Sequence, residues 1–251
     1  MSLLDKILGG NILYYPGCLT KFVAKDLGEK YQKILRQNGI DFITLPELEL
    51  CCGSPALKAG YSADFKKTAK ENMKIFKDHG VTKIITNCPA CFMVLKKYYQ
   101  EVLGKDWDIE VEHITQTIKK SKFFGNWKLE IGNSNRGAVS YHDPCHLGRQ
   151  MGVYDQPREV IKGLGYEISE MKLNKKNSFC CGGGGGVQSN EPELVNKIAQ
   201  DRVKQAKKTG AKTLCTACPL CYLHLKENAK GIKVKELSEL FNFDRDKNDN
   251  K

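Results

Sequence analysis

Eleven cysteines stand in this 251-residue chain, and their spacing is its most chemically specific feature. They form two adjacent pairs, two Cys-x-x-Cys motifs and three single residues. Thiolates at such spacings bind metal ions or iron–sulfur clusters. An odd number does not fit a fully paired disulfide framework. The positions are Cys18, Cys51, Cys52, Cys88, Cys91, Cys145, Cys180, Cys181, Cys215, Cys218 and Cys221.

Ten of these cysteines belong to an internal repeat with a period of about 128 residues. Each half carries a single cysteine, then Cys-Cys-Gly, then Cys-Pro-x-Cys. The aligned segments are 14–18 with 141–145, 51–53 with 180–182, and 80–91 with 210–221. Cys215 is left over and aligns with Ile85 inside a predicted strand. We therefore expect Cys215 to be a buried, unreactive thiol.

Strands and helices alternate around these cysteines in both halves. The predicted strands are 11–15, 40–45, 81–86, 137–141, 166–171 and 213–216. The predicted helices are 24–38, 63–79, 91–103, 113–120, 158–163, 193–209 and 221–228. This alternation predicts an α/β fold of two pseudo-symmetric modules, each a small parallel sheet flanked by helices. We place the modules at 11–104 and 136–243, joined by a connecting segment at 105–135.

Four cysteines come directly after predicted strands. They are Cys18, Cys88, Cys145 and Cys218. Ligands of parallel sheets gather at the carboxyl ends of the strands, so we expect one cysteine site at that edge of each module.

The composition is that of a soluble globular protein, with 41% hydrophobic and 27% charged residues. No apolar run reaches the roughly 18 residues of a membrane span. The first residues are too short and too acidic for a secretory signal, so we expect a cytoplasmic location. The net charge of +11 comes from dispersed lysines without a nucleic-acid-binding motif. We expect no nucleic-acid partner.

Five cysteines per half exceed the four ligands of a tetrahedral zinc site. A multinuclear iron–sulfur cluster can use both members of an adjacent pair, because it offers more than one iron. The glycine after each pair lets the backbone approach a bulky cluster. Each Cys-Pro-x-Cys proline fixes a turn at a helix start, whose amides can donate to cluster sulfur. Zinc in one or both halves remains an alternative.

The doubled pattern resembles the cysteine-rich CCG domain pair of heterodisulfide reductase and of related lactate- and glycerol-3-phosphate-oxidising complexes. The resemblance covers residues 11–240 and implies two non-cubane [4Fe-4S] clusters. One would be bound by Cys18, Cys51, Cys52, Cys88 and Cys91. The other would be bound by Cys145, Cys180, Cys181, Cys218 and Cys221. Because none of the ten is missing, the resemblance favours two clusters over one.

The resemblance further implies reduction of a small-molecule disulfide between the two clusters, in a multi-subunit oxidoreductase. His142 and His146, which flank Cys145, are the nearest candidates to supply protons. The chain has neither a ferredoxin-type cysteine run nor a flavin fingerprint, so a ferredoxin-like iron–sulfur subunit and a flavoprotein are expected as partners. Two alternatives are an electron-transfer subunit that links a flavin dehydrogenase to a quinone or other carrier, and a structural zinc protein.

Overall fold

The computed structural model describes residues 10–122, 124 and 136–242 and contains two parallel sheets. The first sheet has the order β1–β2–β3, and the second has the order β5–β4–β6–β7. The strands are β1 (Asn11–Tyr14), β2 (Val81–Thr86), β3 (Glu110–His113), β4 (Ala138–His142), β5 (Glu167–Ile168), β6 (Thr213–Thr216) and β7 (Lys233–Glu236). The predicted α/β fold of two repeated modules is confirmed.

Helices pack around both sheets. Those of the first module are α1 (Cys18–Phe22), α2 (Lys25–Gln37), α3 (Ser54–Lys58), α4 (Ser62–Asp78), α5 (Pro89–Met93), a π-helical turn (Val94–Tyr98), α6 (Tyr99–Leu103), a 3₁₀ turn (Gly104–Asp106) and α7 (Ile114–Lys120). Those of the second are α8 (Asp155–Gly163), a 3₁₀ turn (Lys175–Asn177), α9 (Val187–Asn190), α10 (Pro192–Lys207), α11 (Pro219–Glu227) and a C-terminal 3₁₀ helix (Leu237–Leu240).

The long helices form where apolar residues recur at helical spacing. In α2 the buried stripe includes Leu27, Tyr31 and Ile34, and the chain turns at Gly39 with a φ of 66°. Helices α5 and α11 both begin at the proline of a Cys-Pro-x-Cys motif, where proline's fixed φ suits the first turn. The helix predicted at 91–103 therefore starts two residues earlier, and a π-helical turn interrupts it.

Two predicted strands are shorter than expected. Residues 40–45 contribute only a single parallel bridge from Ile43 to Leu13, because the segment is half exposed and Pro46 follows it. The strand predicted at 166–171 shrinks to the two residues of β5. Both segments lie at the equivalent edge of their sheets, beside β1 and β4. The two modules therefore share the same strand order even where only one or two residues pair.

Two edge strands, β3 and β7, were absent from the predicted elements. Strand β3 pairs with β2, and β7 pairs with β6. Their sequences, EVEH and KVKE, carry too few apolar residues to stand out from loops. Strand β3 and helix α7 fall inside residues 105–135, the segment expected to connect the modules. Residues 125–135 of that segment lie outside the described residues.

The two modules exchange contacts through the elements that follow their last strands. Helix α7, which follows β3, packs against α8 of the second module. The C-terminal 3₁₀ helix, which follows β7, packs against α2 of the first. Ion pairs support both contacts, Lys119 with Glu159 and Lys30 with Glu239, each at 3.7 Å. The exchange is thus reciprocal, and one hydrophobic core includes buried residues of both sheets.

Within the described ranges, no helix is long and apolar enough to cross a lipid bilayer.

Candidate metal centre

Three segments bring five cysteines together at the carboxyl edge of the first sheet. Cys18 opens α1 after β1, the adjacent pair precedes α3, and the Cys-Pro-x-Cys motif enters α5 after β2. Hydrogen bonds between thiols link the side chains in the order Cys18, Cys51, Cys52, Cys91, Cys88. We call this set the first thiol site.

The second module builds the same arrangement. Its thiols are linked in the order Cys145, Cys180, Cys181, Cys221, Cys218. The Sγ atoms of Cys181 and Cys221 lie 3.3 Å apart. We call this set the second thiol site. Each cysteine has the same neighbours as its aligned counterpart, so the sequence repeat extends to side-chain contacts.

The glycine after each adjacent pair has a backbone conformation that other residues rarely adopt. Gly53 and Gly182 have φ values of 83° and 87°. In that conformation the amide of Gly182 donates to Cys180 Sγ at 3.4 Å, and the amide of Gly53 donates to Cys51. Both glycines thus supply the close backbone approach that the sequence predicted, together with a donor to sulfur.

Neighbouring donors stabilise thiolates in both sites. Hydrogen bonds from Cys18 and Cys52 lower the pKa of Cys51 to about 2. Hydrogen bonds from Cys145 and Cys181 hold the pKa of Cys180 far below its usual range. The thiol of Cys91, together with amides at the start of α5, lowers the pKa of Cys88 to about 7. Each site therefore favours the anionic form of one sulfur, which is the form that binds metal.

A single cavity of about 370 Å³ lies between the two thiol sites. The first module contributes all five of its cysteines, together with α3 residues that include Lys58. The second module contributes Cys218, His146 and the glycine run 183–186. Cysteines of both sites therefore line one common space, and the glycine run forms part of its wall.

His146 lies where the two modules meet at this cavity. Its Nδ1 is 3.9 Å from Cys145 Sγ, and its Nε2 is 2.8 Å from Lys58 Nζ. Burial and the nearby ammonium group lower the pKa of His146 to about 4. No local pattern indicates the contact with Lys58, because this lysine comes from α3, 88 residues away.

His142, the other predicted histidine, lies behind the second thiol site and is not among the residues that line the cavity. It is fully buried, and Arg202 Nε donates to its Nδ1 at 3.0 Å. Burial and this guanidinium lower the pKa of His142 to about 3. Asp143, its neighbour, is held by Arg158 in a bidentate pair at 2.6 and 2.9 Å.

Sequence reasoning missed Arg202, although one signal was available. Arg202 occupies the apolar stripe of α10 with Val195, Ala199 and Ala206, where a charged residue is unexpected. Cys215, by contrast, lies in β6 with no exposed surface, as predicted.

The donor set fits an iron–sulfur cluster better than a single ion. Five soft thiol ligands converge in each site, and glycine amides donate to sulfur. The buried Nε2 of His142 has no hydrogen-bond partner among the described residues. These are the surroundings expected of a sulfur-rich group, since such groups accept hydrogen bonds from nearby donors.

The profile of the cysteine-rich domain family named CCG matches residues 12–96 and 139–226. The chain belongs to this family. One match falls in each repeated half, so each half carries one CCG domain.

Several named proteins are similar to this CCG-domain chain. A subunit of the dihydromethanophenazine:CoB--CoM heterodisulfide reductase of Methanosarcina acetivorans is 36% identical over 89% of this chain and 55% of its own length. EtfAB:quinone oxidoreductase of Syntrophomonas wolfei is 33% identical over 91% of this chain and 33% of its own length. A subunit of the fumarate reductase (CoM/CoB) of Methanothermobacter marburgensis is 30% identical over 94% of this chain and 46% of its own length. The chain thus spans a third to about half of these relatives.

Proposed function

We propose that this protein is the iron–sulfur redox subunit of a heterodisulfide-reductase-like complex. It would bind two non-cubane [4Fe-4S] clusters through the ten cysteines of the thiol sites and reduce a small-molecule disulfide. The observation that carries the proposal is that two equivalent five-thiol sites lie at one cavity, which is lined by all five thiols of the first site and by Cys218 of the second. Similarity to the heterodisulfide reductase of Methanosarcina acetivorans supports the same function.

The geometry suits a substrate with two sulfur atoms to be separated. A bound iron–sulfur cluster supplies single electrons and iron sites with affinity for sulfur. The cavity volume of about 370 Å³ falls at the lower end of the range for small-molecule pockets. A disulfide placed there can present one sulfur to each module. Reduction takes up two electrons and two protons, breaks the S–S bond and yields two thiols.

We assign proton delivery to His146, because it lines the cavity and contacts Lys58 across the module boundary. The ammonium group of Lys58 can donate to Nε2 of His146 at their 2.8 Å separation. His142 does not reach the cavity, so the proposal gives it no place in proton delivery.

Electrons must enter this chain from other proteins or domains. We propose a ferredoxin-like iron–sulfur subunit and a flavoprotein as the partners, in a cytoplasmic complex. Support comes from relatives that are subunits of redox enzymes and are longer than this chain.

A second candidate is electron transfer from a flavin dehydrogenase to a quinone. It is favoured by the similarity to EtfAB:quinone oxidoreductase. The cavity argues for the first candidate, because electron transfer alone does not require cysteines of both sites to line one small-molecule space.

Metal analysis of protein purified without oxygen tests the proposal. Two clusters correspond to about eight iron and eight sulfide per chain. Cys221→Ala should lower both to about four, while Cys215→Ala is the matched control and should leave them unchanged. A preparation with about two zinc and negligible iron would refute the proposal. Two clusters without disulfide reductase activity in the assembled complex would favour the quinone-linked candidate.

A further inference from the structure

Arg202 is a buried cation without a carboxylate partner among the described residues. Its side chain has no exposed surface. Its guanidinium donates to His142 Nδ1 at 3.0 Å and to three neutral oxygens. Those oxygens are Leu173 O at 2.8 Å, Gln205 Oε1 at 2.8 Å and Ser178 Oγ at 3.0 Å. A buried charge is costly unless an opposite charge lies nearby.

The anionic groups that act on Arg202 are few. They are led by Asp143, followed by the thiols of Cys221 and Cys181 and then by Glu170. Asp143 is already engaged by Arg158 in a bidentate ion pair. Glu170 is also paired with Arg158, so both carboxylates already share a cation. The second thiol site is the other source of negative charge, and it becomes more negative whenever an electron is added there.

Arg202 also fixes the protonation pattern of His142. A guanidinium has donors only, so the His142 Nδ1 that it contacts must be an acceptor without a proton. A neutral imidazole carries its one proton on the other nitrogen, which here is Nε2. That N–H group is buried and has no partner among the described residues.

The imidazole of His142 lies beside the second thiol site. A ring nitrogen of His142 lies within 4.8 Å of the Sγ atoms of Cys181 and Cys221. Because Nδ1 accepts from Arg202, we assign Nε2 as the nitrogen whose proton is available to sulfur. The pair thus forms a relay in which a buried cation orients a neutral donor toward sulfur.

The first module has no such relay at the aligned positions. Tyr15 takes the place of His142, and its hydroxyl donates to the carbonyl of Leu50 at 2.6 Å instead of to sulfur. Asn72 takes the place of Arg202, and its amide donates to the carbonyl of Cys51 at 2.9 Å. Lys58, whose charge acts on Cys88 of the first site, is solvent-exposed and therefore more screened than the fully buried Arg202.

We propose that Arg202 and His142 set the reduction potential of the second site, so that its cluster is the higher-potential of the two and is reduced first. The inference rests on the proposed two-cluster function. Hydrogen bonds to cluster sulfur and nearby positive charge both favour the reduced, more negative state. Arg202 is a positioning residue in this account, because it acts partly through His142.

The same geometry argues against His142 as an iron ligand. A ligating nitrogen needs a free lone pair, and Nδ1 uses its own to accept from Arg202. Nε2 carries the proton and has no lone pair to offer.

Redox titration of anaerobically purified protein, followed by electron paramagnetic resonance, tests the proposal. His142→Leu should lower the equilibrium constant for reduction of the higher-potential cluster about tenfold, which is about 59 mV for one electron. His142→Gln, which keeps an N–H donor, should recover part of that shift. Tyr15→Phe is the matched control at the aligned position and should leave the higher-potential cluster unchanged.

Each outcome decides between the alternatives. A shift of less than threefold in His142→Leu with both clusters present would overturn the inference, as would a shift of the lower-potential cluster. If His142→Leu protein contains about four fewer iron per chain and His142→Gln protein keeps its iron, the result supports His142 as a hydrogen-bond donor to the cluster. If both variants lose them, or nitrogen ligation is detected spectroscopically, His142 is a ligand and the inference is wrong. Wild-type protein without two clusters would refute the proposed function itself.

Discussion

Glu236 places a buried carboxylate between the modules, and its ionisation should make stability depend on pH. Tyr31 of α2 donates to Oε1 at 2.6 Å, and the amide of Ser238 donates to Oε2 at 2.8 Å. Complete burial nevertheless raises the pKa of Glu236 to about 7 from its usual 4.5. The protonated form is therefore favoured in the folded protein relative to the unfolded chain.

The size and sign of the effect follow from linkage. Below pH 4.5 the carboxyl is neutral in both states, and its contribution to stability is fully present. As the pH rises through about 7, the folded protein must hold the buried charge and loses that contribution. At about 1.36 kcal/mol per pH unit, the loss is about 3 kcal/mol. For a chain of this size that corresponds to roughly 6–12 °C in Tm.

Glu236→Gln isolates this group, because glutamine matches its shape and can donate to Tyr31 and accept from Ser238. Thermal unfolding without oxygen should show Tm values within about 3 °C at pH 5. At pH 8 we expect the variant to be roughly 6–12 °C more stable. Glu193→Gln, at an exposed position on α10, is the control and should show no such trend. A difference between Glu236→Gln and wild type that stays constant from pH 5 to 8 would refute the reasoning.

Three further predictions concern the sites and the elements that position them. Gly60→Ala should lower the free energy of unfolding by about 1 kcal/mol, because its φ is 85° but its Cβ would lie in open space. Gly53→Ala should lower it further and reduce the iron content, because its Cβ would lie 2.8 Å from the buried Phe65 ring. Thermal unfolding and iron analysis of the two variants test this comparison. Arg158→Met should destabilise by about 3–5 kcal/mol by leaving buried Asp143 unpaired, measured by denaturant unfolding; a loss below about 1 kcal/mol would contradict this. Lys58→Met should slow disulfide reduction about a hundredfold with unchanged iron content, and unchanged kcat would remove Lys58 from proton delivery.

The thiol sites could be predicted because their information is local. Each cysteine motif recurs at matching positions in both halves, and the strands that precede Cys88 and Cys218 are short apolar runs that local patterns recognise. Ligands gather at the carboxyl ends of parallel strands, and cysteines directly follow these strands, so both sites are expected at sheet edges.

The edge strands and the buried charges could not be predicted, because they depend on contacts that are distant in sequence. Strand β7 holds Glu236, whose partner Tyr31 lies 205 residues away. Arg202 meets His142 across 60 residues, from a helix whose pattern otherwise predicts an ordinary apolar face. Local periodicity reports which face of an element is buried, but not which polar groups meet there.

The exchange of α7 and the C-terminal 3₁₀ helix between the modules is what an isologous homodimer of a single module would show. The chain has the architecture of such a dimer joined into one polypeptide. Joining fixes the ratio of the two copies and allows each to change separately. A homodimer could not carry histidine and arginine in one copy and tyrosine and asparagine at the same positions in the other. Covalent fusion therefore allows the two sites of a symmetric scaffold to have different chemical surroundings.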